Sequence, residues 1–329
     1  MVFSSAMLGV AALVSAYFAA PATAADQPLP WDGLGVGLTA TTLEKKYMTH
    51  ILTQRNGGQN GKPADYVTIK QDARPSYNGD TAVIDISVDA KAIFQKQQNF
   101  RRSELVQMIA GNPKGVTFFR ISVMKEDAFL NPYAWQCIFT ESHIFEIRFD
   151  ASLTTTKLIY LNGGTYDPKW ETDFKPGTWY NFGIGLAPSS TGYTLEFYMS
   201  EGDADLVLER TDEIKSELPT SHEFHYGALT LSSDGSEPKM AAKPDTLSYN
   251  GVTVSDEVSL TGGGSGGSST KSGSSKTEDS PTPSAPTPST DTPASDADTP
   301  SVMTKGDSPS ETPSMESGAS KSCARKRNR

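Results

Sequence analysis

Cysteine is nearly absent from the 329 residues: Cys137 and Cys323 are the two that occur, and they fall in stretches of different character. A disulfide framework is thereby excluded as the means of folding, and the chain must build an apolar core instead. Histidine is scarce too. The four present, His50, His143, His222 and His225, show no HExxH spacing, and no CxxC accompanies them, so the common zinc patterns are excluded. The Gly-rich turns carry neither a P-loop ending nor an EF-hand spacing, and no serine sits in a strand-to-helix nucleophile elbow. No cofactor is expected, although a structural calcium site at a turn stays compatible with the sequence. Long apolar runs are missing as well: the longest, Ala6 to Ala20, falls short of the roughly 20 residues that span a bilayer. Because no charge precedes Asp26 and Ala22, Thr23 and Ala24 follow the run, residues 1–24 read as a secretory leader cleaved after Ala24. The expectation is a secreted, extracellular protein with no membrane span.

The other end is defined by composition. From Gly262 to Arg329 the chain is Gly/Ser-rich and then Ser/Thr/Pro-rich ("SPTPSAPTPSTDTPASDADTPS"), which cannot bury enough apolar surface to offset the entropy of ordering. It is expected to be a disordered, O-glycosylated stalk. That tail holds eight basic and eight acidic residues, and residues 1–24 hold no charge, so the whole net charge of −10 sits on residues 25–261. An acidic domain argues against nucleic acid or an anionic membrane as partner and is compatible with a neutral polysaccharide. A monomer is expected.

Within residues 25–261, eleven strand-like runs recur between turn signals: 66–70, 81–89, 115–124, 134–139, 144–149, 157–161, 178–186, 193–200, 205–210, 224–231 and 247–255. Several alternate cleanly, as Val83, Asp85 and Ser87 do against Ile84, Ile86 and Val88, which is the period of a half-buried strand. Helical periodicity is confined to one uncertain stretch, 39–52. The predicted fold class is all-β, a β-jelly-roll sandwich with few short helices; the lack of a fixed repeat argues against a propeller or solenoid.

Chemistry then rests on carboxylates. Glu104, Glu141 and Glu146 lie in or beside predicted strands, and "SHEFHYG" adds His222, Glu223 and His225. Two carboxyl groups across a cleft suffice to hydrolyse a glycosidic bond, and a histidine can orient such a pair. The stretch "FRRSEL" leaves two readings open: a surface ion pair between arginine and Glu104, or a carboxylate held for catalysis by guanidinium groups. As a strand it would put Arg102 and Glu104 on one face and Arg101 and Ser103 on the other. Tryptophans and tyrosines supply flat faces that can stack on sugars, with Trp135 and Trp170 the candidates for a cleft and Trp179 read as core.

The order of "PWDG", "FRRSEL", "WQCIFTES", "TWYNFGIGL", "FHYGALTL" and "YNGVTVSD" resembles the catalytic domain of glycoside hydrolase family 131 over residues 29–257. The resemblance implies a jelly roll like those of other fungal glucanases and activity on β-1,3-, β-1,6- and β-1,4-linked glucans, with a non-catalytic glucan-binding protein as the alternative. It further implies catalytic roles for Glu104, Glu141 and His225, with Arg101, Arg102, Trp135, Trp170 and His222 about the substrate. Arginines beside Glu104 would keep it ionised as base or nucleophile, leaving Glu141 or protonated His225 as the acid; inversion of configuration is the expected outcome. This chain has Leu34 and Thr140 where the family more often carries arginine and histidine.

Overall fold

The computed structural model describes residues 25–232 and 235–263. The expected leader at 1–24, the tail from 264 onward and Cys323 lie outside the described residues. Alternating sequence becomes strand throughout: β1 (Trp31–Asp32), β2 (Val67–Lys70), β3 (Val83–Val88), β4 (Arg102–Ala110), β5 (Thr117–Met124), β6 (Ala134–Thr140), β7 (Phe145–Asp150). The series continues with β8 (Lys157–Asn162), β9 (Trp170–Asp173), β10 (Tyr180–Ser189), β11 (Gly192–Glu201), β12 (Val207–Ile214), β13 (Ser221–Leu231) and β14 (Asp245–Ser255). The uncertain stretch 39–52 supplies a 3-10 turn at Leu43–Lys45 and the start of the short helix α1 (His50–Thr53). No helix among the described residues is long and apolar enough to cross a membrane.

Two antiparallel sheets pack as a jelly-roll sandwich. One runs β12-β11-β10-β5-β14-β3-β2 with β1 also paired to β14; the other runs β4-β13-β6-β7-β8-β9. Their inner faces meet through aromatic rings, with Phe119 of β5 5.2 Å from Phe145 and 5.1 Å from Phe224, and Tyr160 of β8 stacked on Phe197 of β11 at 4.0 Å. Such rings bury large apolar areas, which is how a chain without disulfides holds the sheets together. Cys137 is a buried free thiol in this layer, its Sγ 3.2 Å from the Trp135 carbonyl oxygen.

The strand β13 shows how sequence parity builds the site. His222, Phe224, Tyr226 and Ala228 are buried, and the phenylalanine, tyrosine and alanine belong to the core cluster; Glu223, His225 and Gly227 therefore point to the outer face of the six-stranded sheet. On β4 the same rule turns Leu105 and Ile109 inward and Arg102, Glu104 and Val106 outward. Outward Val106 would be exposed but for α1, whose Ile51 joins Phe94 in covering it, so the segment around α1 forms a wall over this edge of the sheet.

Hydrogen bonds tie the chain to the domain up to Gly262. Gly262 is buried: its N–H donates to Asp205 at 2.7 Å and its carbonyl accepts from Asn78 at 3.0 Å. Leu206 N–H donates to Leu260 O, and Arg120 to Thr261 O. A chain ending at Gly263 is expected to melt at the temperature of the full-length protein. One ending at Ser259 loses these hydrogen bonds, at about 1 kcal/mol each, and should melt roughly 5–10 °C lower by scanning calorimetry.

Candidate active site

Outer-face residues of β4, β13 and β6 converge on one histidine. Arg102 donates from Nε to Glu104 Oε1 at 2.7 Å and from Nη2 to Oε2 at 2.6 Å, a bidentate fork. His225 Nδ1 lies 2.8 Å from the same Oε2. Glu104 is 0 % exposed, so its charge is met entirely by protein groups. Close approach of β13 to β4 makes this possible: Gly227, at φ +153°, lies where an added Cβ would sit 2.1 Å from the Ser103 carbonyl oxygen and 2.7 Å from the Glu104 Cα. Arg55 ties the covering wall to the same strand through Arg102 O and Ser103 Oγ.

On the far side of the ring, Nε2 is 3.3 Å from Glu223 Oε1 and 3.8 Å from Glu141 Oε2. Neither contact is in line with the N–H, and the buried Nε2 has no hydrogen-bond partner among the described residues. Glu141 stands in the turn between β6 and β7, where His143 adopts φ +54° and donates its N–H to Thr140 O at 2.8 Å. The Glu141 N–H donates to Glu223 O at 2.9 Å, which sets the two glutamates side by side. Their side chains are 37 % and 31 % exposed, in contrast to Glu104. Under the imidazole lies Phe139, stacked at 4.7 Å, with His143 stacked beyond it at 6.3 Å.

Charge follows from these contacts. Burial alone would protonate Glu104, but the Arg102 charge and hydrogen bonds from His225 and Arg102 outweigh it and hold its pKa at about 2. Burial would likewise discharge His225, yet hydrogen bonding to Glu104 and the nearby Glu223 carry its pKa up to about 9. The His225 imidazolium, 3.3 Å from its carboxylate, lowers the Glu223 pKa in turn. His50 of α1 is also close enough to matter: burial first, then the His225 charge, lowers its pKa.

Several expected site residues lie elsewhere. Trp135 is wholly buried in the core, its indole N–H donating to Asn131 O at 3.2 Å, and offers no face to a sugar. Trp170 pairs with inward-facing Tyr160 and packs on Phe197 at 5.4 Å, between the sheets and not on the outer face that carries His225. His222 faces inward beside Phe119, and burial lowers its pKa to about 4, so it is a neutral core residue. Arg101 turns away from Glu104: it donates to the carbonyls of Ala90, Gln98 and Phe100 and pairs with Glu237, bracing a loop. Arg102 does share a face with Glu104 but is itself buried against it. Thr140 is also inward and buried, its hydroxyl capping the turn at Ile144 N–H, so this departure from the family lies on the face opposite His225. Glu223, by contrast, deserved a place in the expected site, since it lies two residues from His225 on one strand and must share its face. Among the described residues no group of three or more His, Cys, Asp or Glu side chains is arranged to hold a metal ion. A depression of about 520 Å3 bordered by Arg74, Trp179, Glu201 and Asp203 lies on the opposite sheet. There Arg74 is held between the rings of Tyr77 and Trp179.

Comparison with known proteins places this geometry in context. The profile of the glycoside hydrolase 131 catalytic N-terminal domain matches residues 29–259. Among solved structures, a GH131 β-glucanase catalytic domain from Podospora anserina superposes with a TM-score of 0.55 at 21 % identity, over 71 % of this chain and 98 % of that one. The catalytic domain of the glycoside hydrolase family 131 protein from Coprinopsis cinerea gives 0.56 at 20 %, over 72 % and 98 %. No curated protein matches the sequence.

The two shifted groups set a pH window for stability. The depressed pKa of Glu104 stabilises the fold above 4.5, the ordinary value, and this contribution fades as pH falls toward 2. The raised pKa of His225 stabilises below 6.5 and is lost as pH rises through 9. The melting temperature is therefore expected to peak between about pH 4.5 and 6.5 and to decline on both sides. Glu104→Gln should flatten both limbs in a thermal-shift series.

Proposed function

The chain belongs to the glycoside hydrolase 131 family, and on that premise we propose that it hydrolyses β-glucans with β-1,3, β-1,6 and β-1,4 linkages, inverting the anomeric configuration. The observation that carries the mechanism is the His225 Nε2–H, buried, without an in-line partner, and lying between two solvent-facing carboxylates. Glu104 has no solvent face and acts through His225, holding it as an imidazolium. That cation keeps Glu223 ionised as the base, and Glu141 is the proton donor. The bond from the anomeric carbon to the leaving oxygen breaks as the Glu141 proton moves to that oxygen. A water oxygen bonds to the anomeric carbon from the opposite face, and its proton passes to Glu223.

With 3.3 Å to one and 3.8 Å to the other, the Glu223 and Glu141 oxygens nearest Nε2 are at most about 7 Å apart, a bound that spans both the roughly 5–5.5 Å spacing of retaining enzymes and the short end of the roughly 6.5–9.5 Å spacing of inverting ones, so the anomer released distinguishes the two. A β-glucan substrate is supported by the Podospora anserina relative, a β-glucanase, and by the acidic, uncharged-ligand character of the domain. Residues 1–24 supply an export leader, and the domain works outside the cell as a monomer carried on its stalk.

Glu141→Gln and Glu223→Gln should each lower turnover on laminarin by roughly 10²–10⁴, measured as reducing ends released, with melting temperatures near wild type. Proton NMR of the first product should show the α-anomer; a β-anomer signals retention and contradicts the assignment. Mass analysis of the secreted protein should find Ala25 at its N-terminus.

A further inference from the structure

The outward residues continue past the catalytic cluster in one line across the six-stranded sheet. From Glu104 on β4 and His225 on β13 the line passes Phe139 on β6 to Glu146 and Arg148 on β7. There Arg148 is locked by an ion pair with Glu146, whose other oxygen lies 3.3 Å from His143 Nδ1. Above the Arg148 guanidinium, 5.2 Å away, lies the ring of Tyr166.

Tyr166 is 69 % exposed, the most exposed of the large apolar side chains among the described residues. An aromatic ring left in water is ordinarily free to move, but this one stands on a fixed support. Its loop, between β8 and β9, is tied down at both ends: Gly163 N–H donates to Ile144 O and Gly164 N–H to His143 O, each at 2.9 Å, and Lys169 N–H to Tyr160 O at 2.9 Å. His143 and Ile144 belong to the turn that carries Glu141. The ends of the loop that carries the ring are thus tied by backbone hydrogen bonds to the turn that carries the proposed proton donor and to β8.

We propose that Tyr166, backed by Arg148, is a sugar-stacking platform for a neutral glucan chain lying across the strands, at a subsite remote from the bond cleaved. The proposal rests on the hydrolase reading for the direction of the chain, and the ring itself supplies the binding. One face of the ring is covered by the guanidinium and the other is open, so a pyranose C–H face can lie on it with little ordering of the protein. Strand spacing puts β7 roughly 10 Å from β13, a gap that a single sugar ring at His225 does not bridge. The solvent-facing carboxyl groups of Glu141 and Glu223 on the line disfavour a charged uronate chain.

The test is calorimetric titration with laminarihexaose and cellohexaose in the Glu141→Gln background, which blocks turnover, alongside initial-rate kinetics in the native background. Tyr166→Ala should bind at least one hexasaccharide about five- to tenfold more weakly, while Tyr166→Phe keeps the affinity. In the native background the same substitution should raise KM by a like factor with kcat changing less than twofold. Equal hexasaccharide affinity with and without the tyrosine ring overturns the platform, as does a failure of the parent protein to bind either sugar. Ring-dependent binding by a protein that cleaves no glucan leaves the platform standing and removes the hydrolase reading. Cleavage unaffected by Tyr166→Ala does the reverse.

Discussion

A carboxylate that no water reaches has to be neutralised by its neighbours, and Glu104 is such a group. Removing a charge from water costs several kcal/mol even after relaxation, so the surroundings must be built around it. Arg102 meets it with two parallel hydrogen bonds and His225 with a third. Gly227 lets the neighbouring strand come close, and α1 with Arg55 and Phe94 closes the outer side. The arrangement converts a structural constraint into chemistry, because the anion that must be satisfied holds an imidazole in its charged form.

That cation in turn sits beside the two carboxyl groups assigned to proton transfer. Glu141, in the β6–β7 turn, and Glu223, on β13, are neighbours through the Glu141 N–H to Glu223 O hydrogen bond, and the proposed mechanism gives them different roles, one donating a proton and the other accepting it. With His225 Nε2 within 4 Å of both side chains, its charge favours the ionised form of Glu223. The pair faces solvent while its counter-charge is buried, the asymmetry expected where binding and proton transfer take place on a rigid sheet.

Much of the fold was legible because burial on one face of a strand imposes a period of two. All eleven strand runs predicted from alternation correspond to strands of the sandwich, among them β3, β10 and β13. The elements not marked out were those whose letters hide the pattern. Strand β4 is buried on both faces by the wall around α1, so its run "ELVQMI" loses its polar side and reads equally as helix. The two-residue β1 and the four-residue β9 are too short to carry a period. At the site, parity was the information that composition obscured. Arg101 and Arg102 are one position apart and His222 and His225 three, odd offsets that send the first of each pair to the other face. Aromaticity alone misplaced Trp135 and Trp170, since the rings that fill a sandwich core are the same rings that bind sugars. The burial of Glu104 depends on residues distant in the chain, such as Arg55 and Phe94, and no local pattern reports it.

The account stands on Glu104 keeping His225 charged, and the direct measurement is an NMR titration of the imidazole nitrogens in the protein with 15N-labelled histidine. His225 should remain doubly protonated through neutral pH and titrate with a pKa of about 9, and in Glu104→Gln its pKa should fall by a unit or more. A His225 that titrates near its ordinary value of 6.5 in the native protein, or one indifferent to Glu104→Gln, contradicts the account.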